Sequence, residues 1–127
     1  MEKTIKIGSE NYRMRASALI PRLYRAKFER DLIADMTSLQ KKFLAQASLP
    51  ADADDEAKAA AQFSVMDLTV FEDVAWLMCK HGGNDIPDTP EEWLDSIDGI
   101  FSIYQMLPVI LSLWNSNQKT TSTAKKK

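Results

Sequence analysis

Apolar side chains recur at helical spacing through most of this chain, and that spacing is the feature that most restricts its fold. The clearest run has steps of four, three and four residues and consists of Leu32, Met36, Leu39 and Phe43. Steps of three and four place side chains on one face of an α-helix, whereas a half-buried strand needs strict alternation. Leu49-Pro50 should end this helix, because the residue before a proline disfavours helical backbone angles.

A second amphipathic helix is predicted from Glu56 to His81. Its apolar stripe consists of Val70, Val74, Leu77 and Met78. Gly82-Gly83 should stop this helix, since glycine tolerates the left-handed backbone that often follows a last helical turn. A shorter helix should begin at Thr89-Pro90-Glu91-Glu92, which matches a capping box: the threonine accepts from the Glu92 N–H and the glutamate reaches back.

The last predicted helix, from about residue 100 to residue 114, has more apolar surface than one core-facing stripe requires. We assign one stripe to the core: Ile100, Ile103, Tyr104, Leu107, Ile110, Leu111 and Trp114. We assign a second face, formed by Phe101, Val109 and Leu113, to contact with a client or another subunit. The alternative is a central helix that the core covers all round. Pro108 should kink this helix or split it in two.

The N-terminus follows a different pattern. Residues 3–7 and 12–15 alternate between polar and apolar side chains, and the turn-forming stretch Gly8-Ser9-Glu10-Asn11 lies between them. This pattern predicts a β-hairpin at about residues 3–16. The predicted fold class is therefore mainly α, a small helical bundle with a short N-terminal β-hairpin. The predicted core is Ile5, Ile7, Leu32, Met36, Leu39, Phe43, Val70, Val74, Leu77, Leu107, Ile110 and Leu111.

One domain is expected over residues 1–115, followed by a disordered, lysine-rich tail over residues 116–127. The sequence has no recognisable secretory leader and no apolar run of the ~20 residues that a membrane-spanning helix needs. The expected location is therefore the cytoplasm.

Charge is sorted along the chain. Residues 1–45 contain ten Lys/Arg and five Asp/Glu, whereas residues 46–117 contain two Lys/Arg and thirteen Asp/Glu. The last ten residues contain four lysines and no acid. Opposed blocks allow the basic part of one copy to contact the acidic part of another. We therefore hypothesise a homo-oligomer formed through Arg13, Arg15, Arg22 and Arg25. Pairing of a hairpin edge strand with another copy is a second possible route to such an oligomer. The alternative is that the acids simply solvate helix faces.

The sequence offers no constellation of residues that predicts catalysis. Cys79 and His81 are two positions apart and point in different directions on a helix, whereas a zinc site needs three or four ligands. Neighbouring carboxylates such as Glu72 and Asp73 would need a cleft that separates their pKa values. The glycine-rich nucleotide-binding motifs and the nucleophile elbow do not occur in the sequence. We predict a non-enzymatic protein that uses no cofactor or metal.

Several stretches carry a likeness to a known family. They are Lys3–Gly8 with Tyr12–Arg15, then Pro21–Phe28, Phe71–Met78, Thr89–Leu94, and the closing apolar helix to about Asn115. Together they resemble the tail assembly chaperones of long-tailed, siphovirus-type bacteriophages. The resemblance extends over nearly the whole chain, and its motifs are apolar and basic rather than catalytic.

The resemblance implies a chaperone that binds the tape measure protein, keeps it soluble and helps recruit tail tube subunits. It also implies a location in the host cytoplasm and absence from the mature virion. Such proteins commonly have a longer form made by ribosomal frameshifting, through which the tail tube protein would be contacted. Lys125-Lys126-Lys127 is compatible with an A-rich slippery site.

A function of a different class stays open. The basic N-terminal third, which includes Arg13, Arg15, Arg22, Arg25 and Arg30, has enough cations for a small nucleic-acid-binding regulator to contact phosphates. The chain as a whole is acidic, however, with a sequence pI near 5.4. DNA-binding domains are usually basic.

Overall fold

A computed structural model describes residues 2–56, 58, 62–98 and 105–115 of the chain. Two strands come first and helices follow: β1 (Glu2–Ile7), β2 (Glu10–Arg15), α1 (Ile20–Phe28), α2 (Leu32–Ser48), α3 (Val65–His81), α4 (Pro90–Ser96) and α5 (105–115). The protein is mainly α-helical with a short N-terminal antiparallel hairpin, which confirms the predicted fold class. Residues 116–127, the predicted disordered tail, lie outside the described residues.

The hairpin turns through Gly8 and Ser9, with Ile7 paired to Glu10 and Ile5 paired to Tyr12. Gly8 has a positive φ of 64°, as the first central residue of a two-residue type II′ hairpin turn requires. A side chain here would also collide with the backbone of Asp98. The turn is therefore held against the segment that follows α4.

Strand β2 packs its buried residues against α3. Tyr12 and Met14 alternate with exposed neighbours, so the period of two places them on the face toward the helices. The ring of Tyr12 meets the buried ring of Trp93 edge to face, with centroids 5.6 Å apart. This aromatic contact joins the hairpin to α4.

Helix α3 is the centre of the core. Its residues from Val70 to Cys79 are buried, with Glu72 the one half-buried exception. The prediction of one helix from about Glu56 to His81 is wrong, because residues 62–64 are not helical and α3 begins at Val65. Ser64 caps it: the serine hydroxyl accepts from the Asp67 N–H, and the Asp67 carboxylate accepts from the Ser64 N–H. This reciprocal arrangement satisfies two backbone donors and defines the first turn.

Helices α1 and α2 are joined by a turn of three residues. Glu29 ends α1 in the left-handed region, with φ 57° and ψ 38°. Asp31 then caps α2 by accepting hydrogen bonds from the N–H groups of Ile33 and Ala34. Because glycine usually occupies such a left-handed C-terminal position, Glu29 carries backbone strain.

Helix α4 begins where its capping sequence predicts. Thr89 accepts from the Glu92 N–H at 3.2 Å, and Pro90 occupies the first turn. The second half of the predicted box differs, because the Glu92 carboxylate accepts from the threonine hydroxyl at 3.0 Å. In α5 the helix is continuous over residues 105–115, so the described part is not split at Pro108.

The predicted core is confirmed for most of its residues, which are buried in a single cluster. Ile5 and Phe43 are only partly buried and pack at its edge. The cluster also contains large residues that the helical stripes did not predict, among them Tyr24, Phe71 and Trp93. Among the residues that the structure describes, none of the helices combines the length and apolar content needed to cross a membrane.

Candidate interaction groove

An open groove of about 890 Å³ lies where α1 turns into α2, and we call it the α1–α2 groove. One wall comes from α1 and the residues just before it and includes Ala18, Pro21, Arg22 and Arg25. The other comes from the turn and the start of α2 and includes Glu29, Arg30, Asp31, Leu32 and Ile33. Ligand pockets span roughly 300–1,000 Å³, so the groove has room for several side chains of a partner.

The α1 wall presents two cations to solvent. Arg22 and Arg25 are three positions apart and are therefore neighbours on one side of the helix. Both residues are exposed. Within the described part of the chain, neither guanidinium forms an ion pair or a hydrogen bond. These two charges are therefore available to a partner.

The opposite wall combines acidic and apolar groups. The side chain of Asp31 is already occupied in capping α2, whereas Glu29 is exposed. Ile33 is 56% exposed, although its neighbour Leu32 is buried. The groove therefore has a basic wall on one side. On the other side it exposes the apolar side chain of Ile33 and the acidic residue Glu29.

A polar network centred on Arg30 holds the wall of the groove that contains this residue in place. The Arg30 guanidinium donates to the Tyr24 hydroxyl at 2.8 Å and to the Asp73 carboxylate at 2.7 Å. Tyr24 in turn donates to the Asp35 carboxylate at 2.8 Å. Arg30 also lies over the rings of Tyr24 and Phe28. One side chain thus links α1, α2 and α3.

Burial controls ionisation in this network. Burial raises the pKa of Tyr24 far above its usual value and outweighs the opposing hydrogen bond from Arg30, so the phenol stays protonated and serves as a donor. Burial likewise raises the pKa of Asp73, although Arg30 opposes the shift. For Arg30 burial would lower the pKa, but its hydrogen bonds to Tyr24 and Asp73 raise it overall. Arg30 therefore remains a cation paired within the fold.

The four arginines predicted to mediate self-association lie in two places. Arg22 and Arg25 line the α1–α2 groove. Arg13 lies on β2 and donates through Nε to the Gly82 carbonyl at 3.0 Å. Arg15, also on β2, is exposed and lies close enough to His81 to help lower its pKa, after the larger effect of burial.

The structure describes two residues of the predicted partner face on the last helix, and neither of them is exposed. Leu113 is 3% exposed and Val109 is half-buried, while Phe101 lies outside the described residues. The assignment of Leu113 to an exposed face is therefore wrong. The physical reason is that the core covers most of the apolar residues in the described part of α5: Met106, Leu107, Ile110, Leu111, Leu113 and Trp114 are all buried.

The exposed apolar side chains occur elsewhere. Val65, Met66 and Leu68 in the first turn of α3 are 82%, 59% and 39% exposed, and Leu44 on α2 is 55% exposed. Sequence reasoning missed this surface because it placed these residues inside a helix that began at Glu56. The Ser64 capping signal would have shown that they form a helix end.

One pair of side chains has the distance of a nucleophile and its base. The Ser17 hydroxyl lies 2.9 Å from Nε2 of His81, and burial lowers the pKa of that histidine. The Ser17 oxygen also accepts from the Leu19 N–H at 3.3 Å, and neither residue lines the groove. This pair links the exit of the hairpin to the end of α3. Burial raises the pKa of the Cys79 thiol to about 12, which makes it a poor nucleophile.

No metal site is evident in residues 2–56, 58, 62–98 and 105–115, where no three His, Cys, Asp or Glu side chains are arranged to hold an ion. Comparison with known protein families, with characterised proteins and with solved structures finds no match to this chain. The functional argument therefore depends on the groove and on the pattern of the sequence.

Proposed function

We propose that this protein is a non-enzymatic tail assembly chaperone of a long-tailed bacteriophage, which binds the tape measure protein in the host cytoplasm and keeps it soluble. In this proposal it also helps to recruit tail tube subunits. The observation that supports it best is the α1–α2 groove, which is open, has a free basic wall and exposes an apolar side chain. A long helical client can place charged and apolar residues of one face in such a groove.

The exposed apolar residues at the start of α3 add support. Contiguous apolar patches on the surface of a soluble protein mark contact sites, whereas single exposed apolar side chains are ordinary. Val65 and Met66 are adjacent in sequence and more than half exposed. A chaperone needs surface of this kind, because an aggregation-prone client must exchange contacts with itself for contacts with its partner.

Ion pairing within the fold makes the nucleic-acid alternative less favourable. Arg30 is paired with Asp73, and Lys42 is paired with the buried Asp67. Arg13 is bonded to the Gly82 carbonyl. These cations serve the fold, so fewer remain to contact phosphates than the sequence count suggests. Each lost phosphate contact lowers both the affinity of a protein for nucleic acid and the salt dependence of that affinity.

Co-expression tests the proposed function. The full chain is produced together with the candidate tape measure protein, and the soluble client is measured with and without it. We expect the client to become soluble and to copurify. A Val74→Asp variant, which should not fold, is the matched control and should leave the client insoluble. If the folded chain leaves the client insoluble as well, the proposal is wrong.

A further inference from the structure

The spacing of the free cations in the α1–α2 groove restricts what can bind there. Arg22 and Arg25 are separated by about 4.5 Å along the axis of α1, since each helical residue rises ~1.5 Å. Guanidinium groups favour carboxylates, to which they donate two parallel hydrogen bonds. On a partner helix, side chains three or four residues apart have a matching separation. The basic wall is therefore complementary to two carboxylates one helical turn apart.

The other charges of the groove determine how such a partner must be oriented. Arg30 is already paired with Asp73, and the Asp31 carboxylate is used to cap α2. Glu29, the exposed residue that ends α1, would repel a carboxylate placed beside it. The carboxylates of a partner must consequently face Arg22 and Arg25. An apolar side chain of the partner can then cover Ile33.

We propose that the α1–α2 groove binds an amphipathic helix that carries two carboxylates three or four residues apart beside an apolar side chain. This inference depends on the proposed function in one respect: it takes the client to be the protein that supplies this helix. The lysine-rich sequence 118–127 of the chain itself is a poor occupant, because its charge has the same sign as the α1 wall. A nucleic acid has the right charge but no aliphatic side chain to cover Ile33.

Two synthetic peptides test the spacing. Both are alanine-based helices of about 20 residues, long enough to form a helix in water, and both contain two glutamates and two leucines. One has its glutamates at i and i+4, and the other has them at i and i+2, on different sides of the helix. Each is labelled with a fluorophore and titrated with the full chain at low salt, with anisotropy as the measurement. We expect the i, i+4 peptide to bind at least ~5-fold more tightly.

Charge reversal tests the site. The double variant Arg22→Glu with Arg25→Glu should weaken binding of the i, i+4 peptide by about tenfold or more, because two attractions become repulsions. The matched control is Lys3→Glu with Lys41→Glu, which changes the net charge equally at exposed positions outside the groove. This control should bind within about twofold of the unmodified protein. Circular dichroism establishes that both variants are folded.

Three results would overturn the inference: equal binding of the two peptides, unchanged affinity after reversal of both arginines, or binding of a single-stranded oligonucleotide in preference to the i, i+4 peptide. The peptides contain no client sequence, so their binding does not depend on which protein is the client. A client that dissolves equally well with the arginine double variant would likewise reject the groove as its site, while the chaperone function would stand. The two proposals can therefore fail separately.

Discussion

Replacing Gly82 by alanine should destabilise this protein, even though its backbone there suits alanine. The φ of Gly82 is −75°, in the right-handed region that any residue adopts. Judged on the backbone alone, alanine would stabilise the fold by about 0.4–1 kcal/mol, because it restricts the unfolded chain. A Cβ at Gly82 would, however, lie 1.9 Å from the carbonyl oxygen of Arg13.

The size of the effect follows from this contact. Cβ atoms essentially never come within 3.0 Å of such an atom, so β2 must move about 1 Å away from the end of α3. Overpacking of this kind costs about 1–3 kcal/mol. The movement also strains the hydrogen bond from Arg13 Nε to the Gly82 carbonyl and those between Asn84 and the Arg13 backbone, each worth about 0.5–1.5 kcal/mol. We expect a net loss of about 2–4 kcal/mol, and a melting temperature lower by about 10 °C.

Gly83→Ala is the matched control. Gly83 has a positive φ of 87°, but the nearest atom to an added Cβ is the end of the flexible Arg13 side chain at 3.8 Å. Its cost should therefore be conformational only, about 1–2 kcal/mol. Urea unfolding followed by circular dichroism measures both variants. A Gly82→Ala protein that is as stable as the parent, or less affected than Gly83→Ala, would refute the packing that we describe.

Four further predictions concern the core, the turn, an ion pair and assembly. Leu39→Asp or Val74→Asp should unfold the domain, since each buries an unpaired charge at a fully buried site; a soluble variant with an unchanged melting temperature would contradict the placement. Glu29→Gly should stabilise the protein by about 0.5–1 kcal/mol by relieving the left-handed backbone, and a lower urea midpoint would count against that strain. Burial tends to raise the pKa of Asp67, but hydrogen bonds from Lys42 and Ser64 outweigh burial and lower this pKa. The ionised carboxylate therefore stabilises the fold at pH values above its unfolded pKa of about 3.9. This stabilisation is lost as the pH falls through the folded pKa. Asp67→Asn should thus cost about 1–3 kcal/mol at pH 7, and this difference should shrink in urea titrations below pH ~4; a difference independent of pH would exclude the ionised pair as its source. If opposed charge blocks drive the proposed self-association, sedimentation should show that association weakens between 0.1 M and 1 M salt, because the screening length falls from ~10 Å to ~3 Å. A monomer at every salt concentration would rule association out.

The elements of the fold follow from short stretches of sequence, and most could be predicted. The alternation around Ile5 and Tyr12 predicts the hairpin, and Thr89 predicts the start of α4. The start of α3 was missed although Ser64 and Asp67 form the same kind of capping signal. That error had a consequence, because it concealed the exposed apolar residues at the helix end. Local signals are thus sufficient to predict the starts of both helices.

The candidate site could be predicted only in part. The basic character of α1 is visible in sequence, and Arg22 and Arg25 were included in the predicted contact surface. Which arginines remain free is not visible, because Arg30 finds its partner Asp73 forty-three positions away. The burial of Leu113 could not be predicted either, since a surplus apolar stripe looks the same whether a partner or the domain itself covers it.

The sequence by itself determined where helices and strands form, because spacing, caps and turn residues act within a few positions of one another. Only the tertiary structure decided which charged and apolar groups are left for a partner. Asp73 neutralises Arg30, the core covers Leu113, and the turn at Glu29 opens a groove beside two arginines that form no ion pair with the described residues. Each of these outcomes depends on contacts between distant segments. Free energy gained by burial and pairing is a property of the assembled fold, and no local pattern specifies it.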